Sequence, residues 1–283
     1  MPSSSPFSSF PAIIWSISTV MEKRVSSKAG TALTSAMLAG LGVLPMLIAY
    51  LLYPAQLGEY ELLLSIGSGI FFAIGALLFY KALETEQVSN TSASGFVQPA
   101  LIIAFSILFL HEHLSLLQML SGITIVAGVL LVITTKEFKI NKKILPALFA
   151  NASWAIYWIL ASSAILASGS ASSTLLLSRV TTFVILAGMY FVITKPKGSN
   201  KRVQLGATVL AIGCVAGFLD GAGNLVFGLL VNQNLVAVAS LFITIQPLAI
   251  TLIAYFVYKE RLTAIQSAGM AIAIIGALAL ALA

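Results

Sequence analysis

Charge is scarce in this 283-residue chain, where Asp, Glu, Lys and Arg together make up 8%. A soluble domain carries roughly 25%. With so little polar surface the chain cannot coat a water-soluble globule, which excludes a cytosolic enzyme, a nucleic-acid module and a disordered protein together. Cysteine is nearly absent. Cys214 stands alone inside an apolar run, so neither an intramolecular disulfide nor a cysteine metal site can form. Histidine occurs only at 111 and 113. His-Glu-His is no zinc site, because alternate residues do not share a helix face and no third ligand lies nearby. There is no Walker lysine motif, no Gly-rich phosphate loop and no soluble domain, so direct ATP coupling is excluded. Neither a Ser-His-Asp set nor paired carboxylates appear in the apolar segments. The expectation is therefore no catalytic residues, no metal, no cofactor and no enzyme.

Apolar residues are abundant, at 59%, with a mean hydropathy of +1.03. A membrane span takes about 20 of them. Ten candidate spans lie near 8–25, 31–53, 62–83, 88–110, 114–134, 144–167, 173–194, 205–231, 234–258 and 262–283. Glu22, Lys23 and Arg24 mark the end of the first. The fourth opens on VSNTSASG, a polar start tolerated only against protein or a water-filled cavity. The beginning, MPSSSPFSSF, has no positive region and reads as a short polar tail, not a cleaved signal peptide.

The chain repeats itself. Under a shift of 148 residues, the distance from Gln98 to Gln246, Gln98-Pro99 falls on Gln246-Pro247 and Glu112 on Glu260. Gly69, Gly75, Phe79 and Gly128 fall on Gly217, Gly223, Phe227 and Gly276 in the same register. Chance matching of apolar residues does not give Gln-Pro, Glu and Gly together. Trp15 and Trp154 pair at a shift of 139, which places a gap between the second and third spans of each half. The expected units are residues 1–138 and 139–283, five spans each. Five is odd, so the second unit enters the membrane from the opposite side. Inverted repeats of this kind are typical of secondary transporters that bind substrate near the midplane.

Basic residues follow one side. Connections 1–2, 3–4, 5–6, 7–8 and 9–10 hold every Lys and Arg except Arg179. The positive-inside rule puts those connections in the cytoplasm and both termini outside, in a cell (inner or plasma) membrane.

The arrangement resembles the drug/metabolite transporter superfamily, in its EamA-like, ten-helix branch. Trp15 with Lys23 is similar to that family's first-helix pattern, although Ser16 stands where Gly is usual. GALLFYKALE (75–84), with Tyr80, resembles the third-helix signature. The spans with Pro99 and Pro247, closing in HEHLS and KERLT, resemble the Pro-to-Gly-Glu-x-Leu-Ser signature with His111 and Lys259 in place of Gly. The resemblance implies metabolite transport and leans to export. It also implies cytoplasmic termini, against the charge bias.

Several residues stand out as candidate substrate contacts. Asp220, in GFLDGAGN, is the only acid read as deep in a span, and a carboxylate in hydrocarbon faces a cavity or a partner. Asn224 is one turn further on the same face. Arg179 could bind a substrate carboxylate, snorkel or pair with Asp220. Asn151, Trp154 and Trp158 share a face of the sixth span, and Trp15 is the repeat mate of Trp154. Aromatic walls with one acid suit an organic ammonium; the competing role is anchoring at the lipid headgroups. Gln98 and Gln246 each precede a proline that frees a carbonyl and kinks its helix, making Pro99 and Pro247 candidate hinges. Glu112 and Glu260 read as structural, next to the helix N-caps Ser115 and Thr263.

The sequence thus describes an all-α polytopic membrane protein of two inverted five-helix repeats. It is expected to move a small amino acid or amine-type metabolite by alternating access, through a cavity between spans 1, 3, 4 and 6, 8, 9. Its partners are the lipid bilayer and a small-molecule substrate, with a proton or counter-substrate as the coupling alternative and no nucleic acid. A channel-like or uncoupled facilitator and an intramembrane enzyme are the rival classes.

Overall fold

The computed structural model describes residues 10–98, 101–102, 104–105, 115–132, 142–194, 205–233, 243 and 246–281. Among them there is no strand. The chain runs as α1 (Phe10–Leu52), α2 (Glu59–Thr85), α3 (Val88–Ala93), α4 (Leu116–Val132), α5 (Leu145–Ser168), α6 (Ala171–Thr194), α7 (Ala207–Asn232), α8 (Gln246–Tyr258) and α9 (Ala264–Ala281). Five helical stretches are long and apolar enough to cross a membrane: Phe10–Leu52, Glu59–Thr85, Lys142–Ser168, Ala171–Val192 and Ala207–Asn232. The other apolar helices are shorter.

At 43 residues, α1 would measure about 65 Å if straight, twice the hydrocarbon core. It is two arms joined at Gly30, whose φ of 74° and ψ of 166° belong to a region that only glycine enters without strain. One residue therefore serves as the whole connection between the first two expected spans. The first span does not stop at its charged triplet, as the sequence reading had it. Helical rotation sends the three side chains to different places. Glu22 turns inward and is 4% exposed, and Arg24 is exposed. Lys23 Nζ donates to the carbonyls of Leu83 at 2.5 Å and Glu86 at 2.7 Å. Those carbonyls end α2, where a cation is favoured by the helix dipole.

Other helix ends follow local chemistry. Thr263 and Gln266 bond reciprocally, Thr263 N to Gln266 Oε1 at 3.0 Å and Gln266 N to Thr263 Oγ1 at 3.3 Å. This is a capping box that starts α9. Glu260 serves a different helix from the one expected. Its carboxylate accepts Val88 N at 2.9 Å, Ser89 N at 3.0 Å and Ser89 Oγ at 2.6 Å. It therefore caps α3 in the other half of the chain, because free N–H groups attract the nearest anion in space. Glu112 lies outside the described residues.

The halves interlock through glycines. α7 packs along α1, α2 along α5, and α4 along α9. A methyl group at Gly221 would sit 2.7 Å from Gly42 Cα, and one at Gly128 would sit 2.8 Å from Ala273 Cβ. Such closeness is how membrane helices gain van der Waals contact without a hydrophobic driving force. Gly221→Ala is expected to push α7 off α1 and lower stability by roughly 1–3 kcal/mol. A melting temperature equal to wild type in detergent would contradict that close approach.

Candidate functional site

Six segments each turn one stripe toward a common cavity. From α1 come Trp15, Thr19 and Glu22, at helical spacings of four and three. From α2 come Phe72, Phe79 and Tyr80. The start of the fourth expected span, α3 and the residues just after it, contributes Ser92, Gly95 and Gln98. Its polar start is buried at Ser89, Thr91, Ser92 and Ser94. A 3₁₀ turn at Ser94–Phe96 interrupts it, just ahead of Pro99, which lies outside the described residues. α5 adds Asn151, Trp154, Tyr157 and Trp158. α7 adds Asp220 and Asn224, and α8 adds Gln246, Pro247 and Ile250. About 650 Å³ of space not filled by atoms lies among these residues, open solvent at the mouth included.

The walls are aromatic. Trp158 packs at a tilt 4.1 Å from Phe227 and 4.7 Å from Tyr157, and Trp154 lies 4.9 Å from Phe79, all between ring centres. Trp15 and Trp158 are buried, so these tryptophans are interior residues and not headgroup anchors. The repeat reappears in their bonds. Trp15 Nε1 donates to Asp220 O at 3.3 Å and Trp154 Nε1 to Phe72 O at 3.4 Å. Phe72 and Asp220 are repeat mates at the shift of 148, as Trp15 and Trp154 are at 139. Each tryptophan lies over its mate's glycine, Gly223 and Gly75 respectively.

Charge breaks that symmetry. Asp220 has Phe72 as its mate, and Glu22, at the tryptophans' shift, has Ala161. Arg179, for which substrate contact, snorkelling and pairing with Asp220 were the alternatives, is not among the lining residues and takes the pairing. It is 2% exposed and its Nη1 pairs with Asp220 Oδ2 at 2.9 Å. Its guanidinium lies 4.0 Å from the Phe72 ring centre, a cation–π contact. Asn224 Nδ2 also donates to Asp220 Oδ1 at 3.2 Å. Asp220 is thus neutralised within the protein.

Glu22 is not. Among the described residues its carboxylate has no ion pair, and its hydrogen-bond donor is the Ser18 hydroxyl at 2.7 Å. That hydroxyl is also 2.8 Å from Ala216 O, so one proton serves both. Asp220 is therefore not the only deep acid. Beside Lys23 and Arg24, Glu22 looked like the end of a span. The signal that could have placed it is its spacing of seven from Trp15, which puts both on one face. Phe72 and Tyr157 were missed because an aromatic in an apolar run carries no mark of the face it takes.

Residues 7–134 and again 141–282 match the model of the EamA-like transporter family. The chain belongs to that family. It is accordingly a membrane transporter of the drug/metabolite transporter superfamily, a family of transporters and not of enzymes. An uncharacterized protein of Methanocaldococcus jannaschii, MJ1333.1, is 39% identical to the transporter over 64 residues, 23% of this chain. The match spans 47%, about half, of that relative's length. A solved crystal structure superposes with a TM-score of 0.70 at 17% identity, covering 99% of this transporter and 96% of that chain. The likeness is one of fold.

Proposed function

We propose that the transporter moves a small amine-bearing metabolite, an amine or amino acid, by alternating access between two inverted five-helix halves. The observation that carries this reading is Glu22, a buried carboxylate without a cation partner among the described residues, in a cavity walled by tryptophan and tyrosine. An ammonium group would meet a counter-ion there together with the negative faces of aromatic rings, worth about 2 kcal/mol or more once desolvated. Asp220, held by Arg179, shapes the field and braces α7 against α6. The halves, 1–138 and 139–283, carry ten spans between them, with Pro247 and its mate Pro99 as hinges. The basic connections face the cytoplasm and both termini lie outside. Export is the direction that the family resemblance favours.

Counterflow in proteoliposomes tests the mechanism. Vesicles loaded with unlabelled amine or amino acid are expected to take up the labelled compound transiently, with a rate that saturates. Flux that rises linearly with concentration, with no counterflow, would refute alternating access and indicate a channel.

A further inference from the structure

Much of the donor capacity of the cavity lining is committed within the protein. Trp15 Nε1 and Trp154 Nε1 are committed to backbone carbonyls, as given above. Tyr157 Oη donates to Asn224 Oδ1 at 3.1 Å. Asn224 Nδ2 donates to Asp220 O at 2.7 Å, as well as to its carboxylate. Asn151 Nδ2 donates to Ser94 Oγ at 2.9 Å and Ala147 O at 2.8 Å. Ser92 Oγ donates to Ser89 O at 3.1 Å. What remains open is Trp158 Nε1 with the Gln98 and Gln246 amides and the Tyr80 and Thr19 hydroxyls, all of them neutral.

Cations are lacking too. No Lys, Arg or His is among the described lining residues; Arg179 lies behind them, its Nη1 paired with Asp220 and its Nη2 without a partner among the described residues. Stretches 99–110 and 234–245, next to lining residues Gln98 and Gln246, contain no Lys, Arg or His in their sequence. A carboxylate has room for about four donors. A ligand carboxylate in this cavity would lie beside the Glu22 carboxylate with neutral donors, and no cation among the described lining residues, to meet it. Burying a charge beside a like charge and without a counter-ion is unfavourable.

We infer that the cavity selects organic monocations that lack a carboxylate, taking amines in preference to the amino acids that share their side chains. This rests on the amine-transport reading and narrows it. Selectivity would arise mainly by exclusion. The ammonium gains the same Glu22 contact from either compound, and the ligand carboxylate alone is penalised.

Binding to the purified full-length wild-type protein tests it, in two series: phenethylamine, phenylalanine and phenylalanine methyl ester; isoamylamine, leucine and leucine methyl ester. Because the decisive comparison uses wild type, folding of a variant does not enter. In each series that binds, the amine is expected to bind tenfold or more tighter than the amino acid, with the methyl ester following the amine. Glu22→Gln is expected to weaken amine binding by tenfold or more, and Glu59→Gln, at the start of α2, to leave it unchanged. An amino acid that binds as tightly as its amine would overturn the selectivity and leave amine-bearing transport standing. Binding by no member of either series would overturn both. Amine binding indifferent to Glu22→Gln would remove the cavity as its site.

Discussion

Replacing Arg179 with methionine is expected to lower stability by about 3–5 kcal/mol, the penalty for removing one partner of a buried ion pair. The guanidinium is enclosed by α7 through Asp220 and by α2 through Phe72. Its loss leaves the Asp220 carboxylate with one Asn224 amide at its side chain. Asp220→Asn alone strands the arginine instead, and its Nη2 already has no partner among the described residues. The double variant Arg179→Met with Asp220→Asn removes both charges and is expected to recover most of the loss. Melting temperatures of the four proteins, taken as a double-mutant cycle, measure the coupling. Additive losses would mean that the pair contributes nothing and that Asp220 is compensated elsewhere.

Glu22→Gln should produce the largest change in binding. At a separation of about 5 Å and an effective dielectric constant of about 20, a carboxylate attracts an ammonium by about 3 kcal/mol. Its removal should weaken a bound amine on the order of a hundredfold. The same change leaves Ser18 a neutral acceptor and a shape close to the original, so stability should fall much less than for Arg179→Met. Titration calorimetry of amine binding, set against melting of the unliganded protein, separates the two effects. A Glu22→Gln protein that melts normally and binds phenethylamine as wild type does would transfer the counter-ion role away from α1.

The contrast between these two acids shows why only part of the site was legible. Asp220 was visible because it stands alone in an apolar run. Glu22 was hidden by its neighbours Lys23 and Arg24, which resemble the polar end of a span. Only the rotation of α1 against α2 and α7 separates the three, and that rotation depends on helices distant in the chain. Arg179 could have bound substrate, snorkelled or paired; its partner is 41 positions away in sequence, from 179 to 220. Glu260 was recognised as a capping residue, but the N–H groups it caps belong to residues 88 and 89.

By itself the sequence determined the membrane class, the helical fold, the duplication and the family. Each of these depends on composition or on spacing along the chain, which hydrocarbon and helical geometry read locally. The paired glycines and the Gln-Pro repeats already pointed to the surfaces where the halves meet. Tertiary structure alone decided which acid faces the cavity without a cation, and where the N–H donors of its walls are committed. A hydrogen bond or ion pair is made with whatever group lies within about 3 Å in space. No spacing along one chain states which group that will be.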